Sequence, residues 1–315
     1  MDLYVCHTSY QLMIALVRAW RQGGGQSILL SKKVPGGLPL WQRIQESGAF
    51  DEVAVVDEDK WPGIARGLFA RWKNKRGFEK NCGWYLKPGK YRDIYICNDW
   101  SVIGRYLQDC RYPYILCEDT IGSTLHDDQS LVWDQRKNPP KDYQYWGDYP
   151  LCKMVESEDA DQCSLFPREK MVTFSKRELL ASLTSGEKEM LQKVFITQPL
   201  PSSQEAPCLL LPRSFVLDGL MDQETQDRLF RAVAEKYGTE PLFIKTHPRD
   251  ETDYQALFPR AVVLDRTMPS EILNFCLPFR FSRAVTVQSW ALEGFTAADE
   301  NIRITLEDAM KLISR

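Results

Sequence analysis

Histidine is scarce in this 315-residue chain, which has three, and its nine cysteines are scattered without a CxxC pair. That spacing excludes the usual zinc groupings and gives no metal site. It also argues against a disulfide-stapled scaffold, so reduced, mostly buried thiols of a cytosolic protein are expected. No stretch approaches the roughly 18 apolar residues that a membrane-crossing helix requires. The apolar start, MDLYVCHTSYQLMIAL, lacks a basic leader and is broken by His7, Thr8, Ser9 and Gln11. It therefore reads as a first strand and not as a signal peptide. There is no GxGxxG loop, internal repeat or low-complexity tract, and a net charge of -3 exerts no general pull on nucleic acid.

What is present is a soluble composition, 43% hydrophobic and 26% charged, on a chain long enough for two cores. Its organising stretch runs from Leu209 to Asp250. An apolar run at Leu209 to Leu211 leads through a turn holding Asp218 and Gly219 into helical spacing at Leu229, Phe230, Val233, Ala234 and Tyr237. Gly238 stops that helix, and Pro241 to Ile244 form a second strand ending in Lys245-Thr246-His247-Pro248. Strand, helix and strand make a right-handed crossover whose loops leave one sheet edge, where ligands bind. Asp218 at one strand end and His247 at the other are expected to be spatial neighbours.

The first half also alternates. Leu3 to Cys6, Ser27 to Leu30, Val53 to Val56, Asp93 to Cys97 and Pro113 to Cys117 read as strands. Ser9 is read either as an ordinary helix cap or as a hydroxyl facing a ligand at the sheet edge. Residues 60 to 92 mix Arg71, Lys73, Lys75, Arg76, Lys80, Lys87, Lys90 and Arg92 with Trp72, Phe78, Trp84 and Tyr85. Such a mixture suits a sugar acceptor, an anionic membrane face or a polyanion, or else a solvated helix with buried aromatics. Glu118-Asp119 closes the fifth strand; two carboxylates there need solvent or partners, so they are placed at a cleft edge or in a surface turn.

From Leu125 to about Pro167 the pattern weakens into an irregular excursion carrying the acidic run Glu156 to Asp161. A division into residues 1–165 and 166–315 is expected. Lys176 to Phe195 is a helix or helix pair, Pro269 to Phe275 a short helix, and Arg283 to Val287 a strand. Gln288 to Phe295 is read as a helix capped by Ser289, and Ile304 to Ile313 as a terminal helix. Both halves are β/α alternations, which predicts an α/β protein of two doubly wound domains facing a cleft.

The segments CHTSYQLMIA, EDTIGS, LLLPRSFVLDGLMDQE, KTHPRD, MPSEIL and TVQSWALEGF, in that order, together resemble bacterial sialyltransferases of glycosyltransferase family 52 and the related polysialyltransferase-like proteins. The resemblance implies a GT-B architecture with an acceptor-side N-terminal domain and a nucleotide-sugar-binding C-terminal one. It implies a CMP-sialic acid donor, a glycan acceptor, and no metal or separate cofactor. By position, His247 and Pro248 match the His-Pro motif that supports the departing phosphate, and Lys245 a position near the nucleotide. Pro269 and Glu271 match a segment that accepts from ribose hydroxyls. Ser289, with Thr286 nearby, matches a phosphate-binding Ser/Thr motif. Independently of the resemblance, taking the acceptor proton needs a carboxylate in a cleft: Asp218, which shares a crossover with His247, is the favoured base, and Asp119 the rival or a phosphate- or acceptor-side group.

Three positions depart from the family pattern: Leu217 precedes Asp218 where relatives have a second acid, Thr120 follows the acids where a glycine is usual, and Gln288 precedes Ser289. The donor therefore extends to other CMP-activated nonulosonic acids. Two further readings stay open, a UDP- or GDP-sugar GT-B transferase and a non-catalytic capsule- or glycan-assembly module. The location implied is cytoplasmic, with the inner-membrane surface and a second copy of the chain left open as partners.

Overall fold

The computed structural model describes every residue except 59–68, 83–85, 87–88, 122, 125–142, 164–165, 204 and 315. Trp84, Tyr85 and Lys87 of the basic-aromatic segment, Gly122, and most of the irregular excursion lie outside the described residues. The chain divides into two units, Met1–Met190 and Leu191–Arg315.

The first unit is built on a seven-stranded sheet in the order β3-β2-β1-β4-β5-β6-β7. Its strands are β1 (Leu3–Cys6), β2 (Gln26–Ser31), β3 (Phe50–Val56), β4 (Ile94–Ile96), β5 (Tyr114–Cys117), β6 (Cys152–Ser157) and β7 (Met171–Thr173). All neighbouring pairs are parallel. Helices α1 (Ser9–Arg21), α2 (Gly37–Glu46), α3 (Ala70–Cys82) and α4 (Val102–Asp109) lie between strands, and α5 (Lys176–Ala181) and α6 (Ser185–Phe195) follow β7. Thr8 caps α1 by accepting the Gln11 amide at 3.1 Å, which answers the first question about this turn: the cap is Thr8, and Ser9 is the first helical residue.

The expected division at 165/166 is corrected to 190/191. The segment read as irregular contains β6, and β6 and β7 extend the first sheet in parallel. Arg18 of α1 fixes them in place. Its guanidinium bonds both oxygens of Glu156 in β6 at 2.6 and 3.0 Å and lies 4.3 Å from the ring of Tyr95 and 4.4 Å from that of Phe174, just past β7. Arg21 of the same helix bonds Glu187 near the start of α6 at 2.6 Å, so α5 and the first turn of α6 belong to the first unit, and α6 crosses the boundary. The acidic run is not a solvated loop: Glu156 and Glu158 are buried, and Glu158 accepts the Lys176 amide at 2.7 Å at the start of α5.

The second unit is a five-stranded parallel sheet in the order β10-β9-β8-β11-β12, formed by β8 (Cys208–Leu211), β9 (Leu242–Lys245), β10 (Val262–Leu264), β11 (Phe281–Val287) and β12 (Ala298–Ile304). Helices α7 (Gln223–Tyr237), α8 (Tyr254–Leu257), α9 (Leu273–Cys276) and α10 (Leu306–Ile313) complete it. A sheet covered on both faces needs continuous apolar strands, which CLLL and LFIK supply. Helix α7 starts where the Asp222 side chain accepts the Thr225 amide, buries Leu229, Phe230 and Val233, and ends at Gly238. Two expectations fail here. The residues after β11 form a turn over Ala291–Gly294 and not a helix, and Ile304 closes β12 before α10 begins.

Removing one partner of a buried pair strands the other charge, at a cost of about 3–5 kcal/mol. Glu156→Ala is therefore expected to lower the unfolding free energy of the first unit, read from urea denaturation, by that amount, and Arg18→Met with Glu156→Leu to recover most of it. A loss below about 1 kcal/mol for Glu156→Ala, the range of exposed pairs, contradicts the role given to this pair.

Candidate active site

In the second unit every strand points the same way, so the loops after β8, β9, β10, β11 and β12 share one edge. The strand order reverses between β8 and β11, which makes their loops the switch point where ligands of such sheets bind. Asp218 lies past the end of β8, within a run of turns, and is not a strand-end residue as first read. Its carboxylate accepts from Arg213 Nε at 2.8 Å. Arg213 Nη1 also donates to the Gln288 carbonyl at 2.7 Å, tying the β8 loop to the β11 loop across the switch point. Gln288 is a non-glycine residue at φ 47, held there by the bond of its amide to Ile304 O at 2.9 Å and by its side chain accepting the Leu306 amide at 3.1 Å. Strain fixed from several sides is characteristic of functional loops.

His247 follows β9. The Asp250 amide bonds the His247 carbonyl at 3.0 Å, closing a four-residue turn in which Pro248, with its fixed φ, occupies the second position. Asp250 is buried and accepts the Tyr254 hydroxyl at 2.9 Å and the Thr252 hydroxyl at 2.8 Å, so the turn is anchored from below. The imidazole Nδ1 accepts the Arg249 amide at 3.2 Å. In the neutral ring the proton then sits on Nε2, which becomes a donor. Burial lowers the pKa of His247, with Arg249 and Lys245 adding to the effect, while Asp250 and Asp218 draw it back up. The ring is therefore mostly neutral at pH 7.

A side chain that sequence reasoning missed couples the two loops. Gln226 of α7 is fully buried; its Oε1 accepts the Val216 amide at 3.1 Å and its Nε2 donates to the Thr252 hydroxyl at 2.9 Å. One end thus holds the Asp218 loop and the other the His247 loop. The only sequence signal was an amide on the inner face of an otherwise apolar stripe. Arg213 was legible as a basic residue one short loop before an acid, inside the segment already singled out.

Lys245, the last residue of β9, is buried, and its ammonium donates to the carbonyls of Thr246 at 2.7 Å and Arg266 at 3.3 Å. Burial lowers its pKa to about 8, against the pull of Asp265 and Glu271. Glu271 sits in the single 3-10 turn Ser270–Ile272 that follows Pro269 and accepts from the Ser270 hydroxyl at 3.3 Å. Burial raises its pKa, offset in part by hydrogen bonds and by Lys245. Asp265 shows the opposite outcome: burial would raise it, but the Thr267 amide and the Thr197 and Thr267 hydroxyls hold it below the usual carboxylate range. These side chains form one charged patch on the same edge. The Thr286 hydroxyl, by contrast, is fully buried in β11 and donates to Leu211 O at 2.6 Å, so it is committed to the sheet. Ser289 Oγ accepts the Ala291 amide at 3.2 Å within the turn that replaces the expected helix.

In the first unit the Glu118-Asp119 pair divides its tasks. Glu118 is buried and satisfied: it accepts the Thr124 hydroxyl at 2.8 Å and the Glu158 amide at 2.9 Å, with the Lys176 ammonium 3.5 Å away. Asp119 is half-buried and accepts the Gln11 amide group at 2.6 Å. It lines a recess of about 400 Å³ together with Gln11, Arg18, Tyr95, Phe174 and Lys176. Asp119 and Asp218 belong to different units. Among the described residues, no three His, Cys, Asp or Glu side chains converge as a metal site requires.

Two parallel doubly wound sheets define the class as a GT-B protein. The fold is similar to that of an α/β-galactoside α-2,3-sialyltransferase from Photobacterium phosphoreum, at 10% identity over 99% of this chain and 93% of that one, with a TM-score of 0.55. It is also similar to a UDP-GlcNAc 2-epimerase from Neisseria meningitidis bound to UDP-GlcNAc, at 9% identity over 93% of this chain and 79% of that one, with a TM-score of 0.50. Residues 169–306 match the model of glycosyltransferase family 52, a span that holds Asp218, Lys245, His247, Glu271 and Ser289. An uncharacterized protein of Haemophilus influenzae is 36% identical over 85 residues, which is 27% of this chain and 28% of the relative's length.

The buried ammonium of Lys245 opposes folding while it is charged. Its folded pKa of about 8 lies below the unfolded value of 10.5, so the penalty is full below pH 8 and fades as pH rises toward 10.5. The penalty at pH 7 is on the order of 3 kcal/mol at 1.36 kcal/mol per unit. Lys245→Met is accordingly expected to raise the melting temperature at pH 7 and to bring little change above about pH 10.5, where the penalty is gone. A melting temperature that drops in the variant at pH 7 contradicts this account.

Proposed function

We propose that the protein transfers sialic acid, or a related nonulosonic acid, from its CMP-activated form to a hydroxyl of an acceptor glycan, with inversion and without a metal. What supports this reading is that the loops carrying Asp218 and a neutral His247 whose Nε2 is left as a donor leave one sheet edge within residues 169–306 and are bridged by Gln226. The reaction breaks the bond from the anomeric carbon to a phosphate oxygen and forms a bond to the acceptor oxygen. Asp218 takes the acceptor proton, and His247 Nε2–H donates to the phosphate oxygen as negative charge collects there. Each such group contributes on the order of 10²- to 10⁴-fold. Lys245 supplies a cation at the nucleotide side and Glu271 an acceptor for ribose hydroxyls. Pro248 and Pro269 fix the turns that carry them, and Ser289 faces the phosphate. Asp119 is kept as the rival base or an acceptor-side group. Under this reading the protein works in the cytoplasm on lipooligosaccharide or capsule glycans.

The GT-B fold alone does not choose the nucleotide, because the epimerase that shares it is bound to UDP-GlcNAc. Calorimetric titration with CMP, UDP and GDP is expected to show CMP binding; tight UDP binding without CMP binding overturns the donor assignment. His247→Ala is expected to lower turnover by about 10²- to 10⁴-fold while leaving the melting temperature nearly unchanged, since the ring lies at a loop and not in a core. Parallel collapse of activity and stability contradicts the role. At saturating donor, Asp218→Asn should be slower than Asp119→Asn, and the reverse order moves the base to the first unit.

A further inference from the structure

Helix α3 (Ala70–Cys82) presents two opposed faces. Its inner face is anchored: Ala70, Asn74 and Phe78 are buried, Asn74 Nδ2 donates to the Tyr143 hydroxyl at 3.0 Å, and Phe78 stacks on Tyr106 with ring centroids 3.8 Å apart. The helix therefore cannot roll to hide its other side. At 3.6 residues per turn, Phe69, Trp72, Lys73, Arg76 and Lys80 project within an arc of about 100° on that other side. Phe69 is 66% and Trp72 55% exposed, the Arg76 guanidinium lies 4.8 Å from the Trp72 ring, and no acid falls inside the arc. The remaining charges of the helix are directed elsewhere, with Lys75 beside Glu79 at 3.8 Å and Arg71 beside Asp109 at 4.0 Å.

We infer that this face of α3 docks the protein on an anionic lipid bilayer, Phe69 and Trp72 entering the headgroup boundary and Lys73, Arg76 and Lys80 meeting lipid phosphates. Two adjacent, highly exposed aromatics are costly in water and suited to the interface between headgroups and acyl chains, while long basic side chains reach back to the headgroup layer. Charge complementarity selects the lipid: three cations without an acid are attracted to a negative surface and gain little from a neutral one. A polyanion such as RNA fits less well, because the chain as a whole carries a net charge of -3 and the aromatics would remain unexplained. The inference is independent of sialyl transfer, since docking needs no nucleotide.

The test is co-sedimentation of the full chain with vesicles of phosphatidylcholine alone or mixed equally with phosphatidylglycerol. Binding is expected to the mixed vesicles and to weaken strongly when salt is raised from about 0.1 to 0.5 M, where screening shortens. Neutralising three basic residues, each worth about 1 kcal/mol at such a surface, corresponds to roughly a 100-fold loss. Lys73→Gln, Arg76→Gln and Lys80→Gln together should show that loss. Phe69→Ser with Trp72→Ser should weaken binding while leaving its salt dependence intact. Both variants should keep the parent melting temperature and CMP affinity, because all five positions are on the surface of the first unit. The inference is overturned if the parent does not bind the mixed vesicles, if either variant binds as well as the parent, or if single-stranded RNA is bound more tightly than the vesicles with the aromatic variant unaffected.

Discussion

One buried amide group holds the Asp218 and His247 loops of the second unit in a common frame. Gln226 accepts from Val216 in the loop that carries Asp218 and donates to Thr252 in the loop that carries His247. A buried amide must satisfy both its donor and its acceptor, so each loop is fixed by the cost of leaving that group unpaired. From Thr252 the network continues to Asp250, which closes the His247 turn and orients Pro248. Helix α7 thus does more than cross from β8 to β9: its inner face sets the relation between a carboxylate and an imidazole whose sequence positions are far apart.

Charge on the same sheet edge is arranged at a cost to stability. Lys245 is buried with two carbonyls as its partners, and Glu271 is pushed toward its neutral form by burial. Gln288 is held at a positive φ and its carbonyl is taken by Arg213. None of these features is what a fold optimised for stability would choose, and they converge on the loops around the switch point. Groups with perturbed protonation and strained backbone mark sites where ligand binding or chemistry repays the cost.

Much of this was legible from residues alone, and the failures have physical causes. The apolar runs Leu209–Leu211 and Pro241–Ile244 announce strands, and Gly238 and the Leu229-Phe230-Val233 stripe announce α7, while its cap, Asp222, was not read from the sequence. The strand Cys152–Ser157 was hidden because Glu156 and Glu158 look solvated until partners remote in sequence, Arg18 and the start of α5, are seen beside them. The same missing contacts set the domain division too early. After β11, SWALEGF has apolar spacing that suits a helix, yet a turn ending at Gly294, at φ 72, intervenes. Thr286 illustrates the limit of motif matching: its position fits a phosphate-binding segment, while its side chain belongs to the sheet.

The central claim is that His247 acts as a neutral Nε2–H donor to the phosphate that leaves. Nitrogen-15 NMR of histidine-labelled protein, with His247→Ala used for assignment, tests it most directly. The account predicts that residue 247 is the Nε2–H tautomer at pH 7 and that CMP, but not UDP, shifts its Nε2 resonance. An Nδ1–H tautomer, or an Nε2 signal that saturating CMP leaves unmoved, would contradict it.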